Sequence, residues 1–238
     1  MHPALNSIFA VGYTLIMSGR MLLTAKSGDG QIRQQYGVQW ARTLCRRCGV
    51  TLQCFGLEDV DFSQPVVVVA NHQSYFDIPV LVLATGHMFS FLGKRELFHI
   101  PLFGAAIRRA GCVPIDRGDR AQARTSVAEA AAQVQSGLSV AVFPEGTRSH
   151  TDELLPFKKG AFYLAQRAGA PVLPIGIKGT RQILSKTGLL IRPGKVEVHV
   201  GKPLRCVADS EKARDDLRKK TRAAIAELIG ARRRAPSL

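Results

Sequence analysis

Six short runs of apolar, often β-branched residues recur along the chain, at 66–70, 89–92, 112–115, 138–143, 172–177 and 196–200. Near-continuous apolar runs of this length read as strands buried on both faces. Between several of them lie helix-compatible stretches, 78–84, 102–109, 121–135 and 158–168. Gly169 followed by Pro171 is a reasonable stop for the last of these, and Asp209-Ser210-Glu211 opens a final charged helix to about 229. Such alternation favours an α/β domain with a largely parallel or mixed sheet flanked by helices. No internal repeat or linker divides it, so 51–238 reads as one α/β domain ending in the charged helix.

Residues 1–50 read differently. The stretch 5–25 is the most apolar in the chain, and 21 residues make a helix of about 31 Å, enough to cross the hydrocarbon core. Asn6, Ser7, Gly12, Thr14, Ser18, Gly19 and Arg20 interrupt it, however. No Lys or Arg precedes it and no clear small-residue cleavage site follows, which argues against a secretory signal. After the turn-like Ser27-Gly28-Asp29-Gly30, a second helix over 31–48 places Ile32, Tyr36, Trp40 and Leu44 four apart. Arg33, Arg42, Arg46 and Arg47 fall largely off that stripe. An apolar helix, a Gly-rich turn and a basic amphipathic helix suit a membrane-associating hairpin that dips into one leaflet. A helical hairpin packed on a soluble domain has the same periodicity.

Charge points the same way. Thirty-three Lys+Arg against 18 Asp+Glu give +15, so something acidic is expected nearby. Residues 1–50 hold six basic side chains and one acid, and 211–238 hold nine basic and four acidic, a net of +5 for each. Excess charge at the two ends suits an anionic surface better than one nucleic-acid groove, and a single Trp with four Tyr offers little for base stacking. A solvated basic face kept for solubility is the plainer alternative for the C-terminal run. Five Cys in 238 residues argue against a disulfide-stapled fold. Cys45 and Cys48, with Cys54 nearby, lack a second Cys/His pair at finger spacing, and His2, His87, His99, His150 and His199 suggest no ligand set, so no metal is expected.

Chemistry gathers where the apolar runs end. The first leads into Asn71-His72-Gln73-Ser74-Tyr75-Phe76-Asp77, and ligands collect at the carboxyl ends of strands in α/β sheets. Five residues on a straight helix turn about 500°, leaving His72 and Asp77 roughly 140° apart. They meet only if His72 sits in the turn and Asp77 in the first helical turn behind it. An Asp on one imidazole nitrogen would leave the other as a general base. The same residue types also read as a capping cluster around a satisfied histidine. The run 138–143 leads into Pro144-Glu145-Gly146-Thr147-Arg148, where Gly permits unusual backbone and Arg148 suits a phosphate. Two more runs lead to Asp116-Arg117 and to Lys94-Arg95. Four strands ending in a base, a cation or a carboxylate is a convergence that no single motif carries.

NHQSYFD, then GCVPIDR, FPEGTR and VLPIGIKG, resemble the four ordered blocks of the glycerophosphate acyltransferase family, and most of all its short bacterial 1-acyl-sn-glycerol-3-phosphate acyltransferases. The resemblance covers roughly 60–180, and the preceding basic hairpin is similar to that family's membrane-binding helices. Its most specific part is the His72–Asp77 pair followed by FPEGTR, starting at Phe143, 71 residues after His72. Phe157-Lys158-Lys159-Gly160 is also similar to the stretch downstream of the third block. Pro114 departs from the pattern, where an aromatic or aliphatic residue is more usual, but leaves Ile115 and Arg117 in place.

The resemblance implies that His72 deprotonates a glycerol hydroxyl while Asp77 orients it, and that the oxygen attacks an acyl thioester. Arg117 and Arg148 would hold the acceptor phosphate, with Lys94 a weaker candidate. Glu145 would position the acceptor hydroxyl or brace the loop, and Gly146 would give the backbone room. Direct transfer is expected because no Ser sits in a Gly-x-Ser-x-Gly elbow. Ser74 reads as a structural cap and Cys112 as a buried strand residue. Expected partners are a lysophospholipid acceptor, an acyl carrier protein or coenzyme A thioester as donor, and an anionic membrane surface, with no further cofactor and no nucleic acid. The expected location is the cytoplasmic face of the cell's inner membrane, peripheral or with a single N-terminal insertion. Competing readings are an acyltransferase of the same fold acting on another lyso-lipid, such as a lyso-aminolipid, and a basic membrane- or nucleic-acid-binding protein without chemistry.

Overall fold

A computed structural model describes residues 2–24, 29–58, 60–116 and 118–230. Arg117 and the residues beyond 230 therefore lie outside the described residues, as do Ser27 and Gly28 of the hairpin turn.

Val67–Ala70 (β2) is buried along its whole length, as an all-apolar run in the middle of a sheet must be. It pairs in parallel with Val140–Val142 (β5) on one side and with Val172–Lys178 (β6) on the other. Ser90–Lys94 (β3) and Val113–Ile115 (β4) extend the parallel set beyond β5. On the far side Gly194–Val200 (β7) runs antiparallel to β6, and Val50–Phe55 (β1) runs parallel to β7. The order β1-β7-β6-β2-β5-β3-β4 makes a mixed seven-stranded sheet in which five strands share one direction. Their carboxyl ends form a single edge, and β2 is the central strand of the seven.

Alternation along β2 divides the core in two. Val68 and Ala70 face a layer built from Pro3–Thr24 (α1), Gly30–Arg47 (α2), Asp77–Thr85 (α3) and Phe103–Arg109 (α4). Val67 and Val69 face Arg120–Gln135 (α5), Gly160–Ala168 (α6) and Glu211–Gly230 (α8). The expected stop after α6 is present: Gly169 takes the left-handed conformation, φ +66°, that ends helices. Ser210 Oγ caps α8 through Ala213 N (3.1 Å).

Four elements depart from expectation. β1 is not among the six apolar runs; it is an edge strand whose burial alternates, so it lacks the solid apolar run of the central strands. Arg95–His99 forms a short 3₁₀ helix and Thr180–Ile183 a single helical turn (α7). In α2 the innermost face carries Arg33, Gly37, Ala41, Leu44 and Cys45, one residue along from the stripe that periodicity suggested. Small residues explain the shift: a Cβ at Gly37 would strike the Met88 side chain, so the helix sits close there and Arg33 is buried.

Among the described residues α1 is the one helix long and apolar enough to cross a membrane. It packs against α2 and α4 and buries Ala10, Met17 and Met21, while Leu5, Ile8, Val11, Leu15, Ile16 and Leu23 stay exposed. Trp40 Nε1 donates to Thr14 Oγ1 (3.0 Å), tying α2 to α1 at mid-length.

Candidate active site

The turn after β2 starts from a fixed point. Asn71 is buried, donates from Nδ2 to Ile177 O (2.8 Å) and accepts from Ile177 N at Oδ1 (2.7 Å), which clamps the end of β2 to β6. His72 follows in the turn, and Asp77 is the first residue of α3. Their side chains meet at 2.7 Å, Nδ1 to Oδ2, in the arrangement the five-residue spacing required. The same carboxylate oxygen accepts from Gln73 N (2.7 Å) and Ser74 N (2.9 Å), and Oδ1 accepts from Thr180 Oγ1 at 2.5 Å. Asp77 and Thr180 are both buried. A carboxylate surrounded by donors acts as an acceptor toward the ring as well, so Nδ1 carries the proton and Nε2 keeps its lone pair. No described residue hydrogen-bonds Nε2.

The neighbouring strand supplies the other half. Phe143, just past β5, stacks on the His72 ring at 4.1 Å between centroids and 13° between planes. Glu145 bridges two backbones: Oε1 accepts from His72 N (2.7 Å) and Oε2 from Leu155 N (3.1 Å). At 4% exposure its carboxyl is pushed up to about 7, chiefly by burial and also by Asp77, while the two N–H donors pull it down. Glu145 thus ties the backbone at His72 to the backbone at Leu155. Ser149 N donates to His72 O (2.7 Å), so the histidine is held through both backbone groups. Gly146 has φ +71°, and a Cβ there would lie 2.9 Å from Lys158 Cε and Nζ. The room expected of this glycine is room for a lysine. Arg148 lies over the Tyr75 ring, 3.8 Å from its centroid.

The turns carrying His72, Asp77, Glu145, Gly146 and Arg148 are therefore in direct contact. Lys94 ends β3 on the same edge but points its ammonium at Glu96 (2.9 Å), with both side chains more than half exposed. Sequence reasoning missed Thr180, Tyr75 and Phe143 as partners of the site and left Lys158 without a role. The nearest signal for Thr180 was Gly179 before it, whose φ of +94° and close approach to Lys195 O admit only glycine.

Ser74 Oγ donates to Leu184 O (2.7 Å) and accepts from Phe76 N (3.1 Å), so it is committed to the turn. Burial pushes the Cys112 thiol up to about 11, Cys48 to about 11 and Cys45 to about 12, which keeps all three protonated and poor nucleophiles. Among the described residues no group of three His, Cys, Asp or Glu side chains is placed to hold a metal ion.

A histidine–aspartate pair where neighbouring parallel strands send their connections to opposite faces of the sheet marks an enzyme of the α/β class. Comparison with known proteins narrows that class. Residues 51–178, more than half of the chain, match the sequence model of the Acyltransferase family, and the chain belongs to that family. A chloroplastic 1-acyl-sn-glycerol-3-phosphate acyltransferase of Brassica napus is 41% identical over 152 residues, covering 63% of this chain and 44% of that one. A 1-acyl-sn-glycerol-3-phosphate acyltransferase of Cocos nucifera is 34% identical over 196 residues, 81% of this chain and 63% of its own. The chain thus spans less than two thirds of the length of these curated relatives. The crystal structure of the 1-acyl-sn-glycerophosphate acyltransferase PlsC from Thermotoga maritima matches with a TM-score of 0.80 at 28% identity, over 98% of both chains.

Proposed function

We propose that this acyltransferase moves a fatty acyl group from an acyl thioester to the free hydroxyl of a 1-acyl-sn-glycerol-3-phosphate, giving phosphatidic acid. The observation that carries the reading is the donor-saturated Asp77 carboxylate, which leaves Nε2 of His72 as the base. Nε2 takes the hydroxyl proton as the oxygen attacks the thioester carbonyl. The C–S bond then breaks, and the departing sulfur takes the proton back from the imidazolium. Transfer is direct, since no serine or cysteine beside His72 is activated. Arg148, stacked on Tyr75, is the cation for the acceptor phosphate, and Arg117 is assigned with it from the motif. Lys94 would reach an acceptor only by leaving Glu96. The donor is an acyl carrier protein or coenzyme A thioester, both acidic, which suits the basic chain, and no other cofactor is needed.

Residues 1–50 are the membrane-associating unit of this reading and 51–238 the catalytic domain. The exposed apolar face of α1, docked by its opposite face onto α2 and α4, supports a helix lying in the surface of an anionic membrane rather than crossing it. We assign that surface to the cytoplasmic side of the inner membrane. The test is to incubate purified protein with lysophosphatidic acid and each thioester in turn, following phosphatidic acid by mass spectrometry. Product is expected from at least one donor. No product from either, with turnover of a lyso-aminolipid that inorganic phosphate does not inhibit, would transfer the assignment to that acceptor.

A further inference from the structure

Between α7 and β7 the chain makes a loop, 184–193, at the sheet edge that carries His72. Its tip holds Leu189 at 85% exposure and Leu190 at 42%. The loop is firmly held. Ser7 Oγ donates to Leu189 O (2.7 Å) and accepts from Ile191 N (3.0 Å), and Asn6 Nδ2 donates to Ile191 O (3.1 Å). These bonds fix the tip beside the first turns of α1, where Leu5 is 57% and Ile8 69% exposed. At the loop's base, Leu184 O accepts from Ser74 Oγ (2.7 Å), inside the turn between His72 and Asp77, and Arg192 N donates to Ile183 O (2.9 Å). Lys186 and Arg192 flank the two leucines, and 184–193 contains no acidic residue.

Adjacent leucines held out to water by five hydrogen bonds, between two cations, have the chemistry of a lipid contact: apolar tips for the acyl region and positive charge for anionic headgroups. We propose that the Leu189–Leu190 tip is a second membrane anchor, which seats on an anionic bilayer and sets the mouth of the His72 site against it. The inference rests on the membrane reading of residues 1–50 and adds a contact outside them. One hydrogen bond, Ser74 to Leu184, joins the catalytic turn to the base of the loop five residues before Leu189, so seating the tip orients the site.

The test is flotation of the full chain with vesicles of phosphatidylglycerol and phosphatidylcholine, compared with phosphatidylcholine alone. Wild type is expected to float with the anionic vesicles and Leu189→Glu/Leu190→Glu to partition less, by on the order of tenfold for each leucine lost from the lipid. The variant should keep its turnover of a monomeric short-chain lysophosphatidic acid and lose it on acceptor embedded in vesicles. If wild type does not float, the membrane reading fails and the anchor with it. Equal flotation of variant and wild type overturns the anchor alone. So does a lipid-free dimer that the variant dissociates, which would give the tip to a second copy of the chain. Should the double variant misfold, Leu189→Trp provides the independent measurement. Anionic vesicles should shift its emission to the blue beyond the wild-type Trp40 signal, with quenching by lipids carrying a shallow nitroxide, and an unshifted, unquenched Trp overturns the proposal.

Discussion

Thr180 Oγ1 donates to Asp77 Oδ1 across 2.5 Å, on the carboxylate oxygen that does not touch His72. The two residues are 103 apart in sequence and both are buried, so the bond joins the turn after β2 to the turn after β6. Each donor on Asp77 spreads its charge and tempers its hold on a protonated imidazole. Thr180→Val keeps the shape and removes the donor. Its kcat should then fall by about tenfold, the scale of one hydrogen bond to a charged group. KM should change little, and Thr180→Ser should restore kcat. An equal loss of kcat in Thr180→Ser would reduce Thr180 to a packing residue.

Replacing His72 with Ala should cost roughly 10²–10⁴-fold in turnover while circular dichroism stays native, since general-base help is worth about that much. The ring is 12% exposed and stacks on Phe143, so a small loss of melting temperature is expected as well. Appreciable turnover in the variant would end the base assignment.

Arg148→Ala should raise the acceptor's KM by about ten- to a hundredfold and leave kcat nearly unchanged, as loss of a charge-assisted contact to phosphate would. Tyr75→Leu, which removes only the ring beneath the guanidinium, should give a few-fold rise, because an exposed cation–π contact is worth about 0.5–1 kcal/mol. An unchanged KM in the alanine variant would take Arg148 out of the phosphate site.

Stability should also report on Glu145. Its carboxyl rises on folding from 4.5 to about 7, so between those values the folded chain binds more protons than the unfolded one. That stability is fully present below about pH 4.5 and is lost as pH rises through 7, by up to about 3 kcal/mol. Urea unfolding of wild type and Glu145→Gln at pH 5 and pH 8 isolates the effect. The wild type should lose ground to the variant at the higher pH, and a constant difference would mean that Glu145 folds already ionised.

Gly146→Ala puts a side chain at φ +71°, which costs about 1–2 kcal/mol for an L-residue. For a chain of this size that is a drop of a few degrees in melting temperature. Lys158→Met should leave the drop in place, since the flexible lysine can move and the backbone cannot. An unaltered melting temperature in the alanine variant would show that the turn has room to relax.

The central strands were legible because burial on both faces leaves an apolar run, and β2 and β6 show it most plainly. The His72–Asp77 geometry was legible too, because helix pitch allows only one way for residues five apart to meet. β1 was hidden by its alternating exposure. The reversal of β7 against β6 and the Thr180–Asp77 bond were hidden for another reason: they depend on contacts between distant segments that no local pattern records. Where the Lys94 ammonium points was not legible from its place at a strand end, since Glu96, two residues away, pairs with it at 2.9 Å.

The stitching of the His72 backbone, N–H to Glu145 and C=O to Ser149, has one more consequence. Both partners belong to the turn that carries Arg148, so the His72 ring and the Arg148 guanidinium cannot drift independently. Their separation works as a fixed gauge. In the proposed reaction, a lipid whose nucleophilic oxygen and negative headgroup do not match that span would occupy one end or the other and go unmodified.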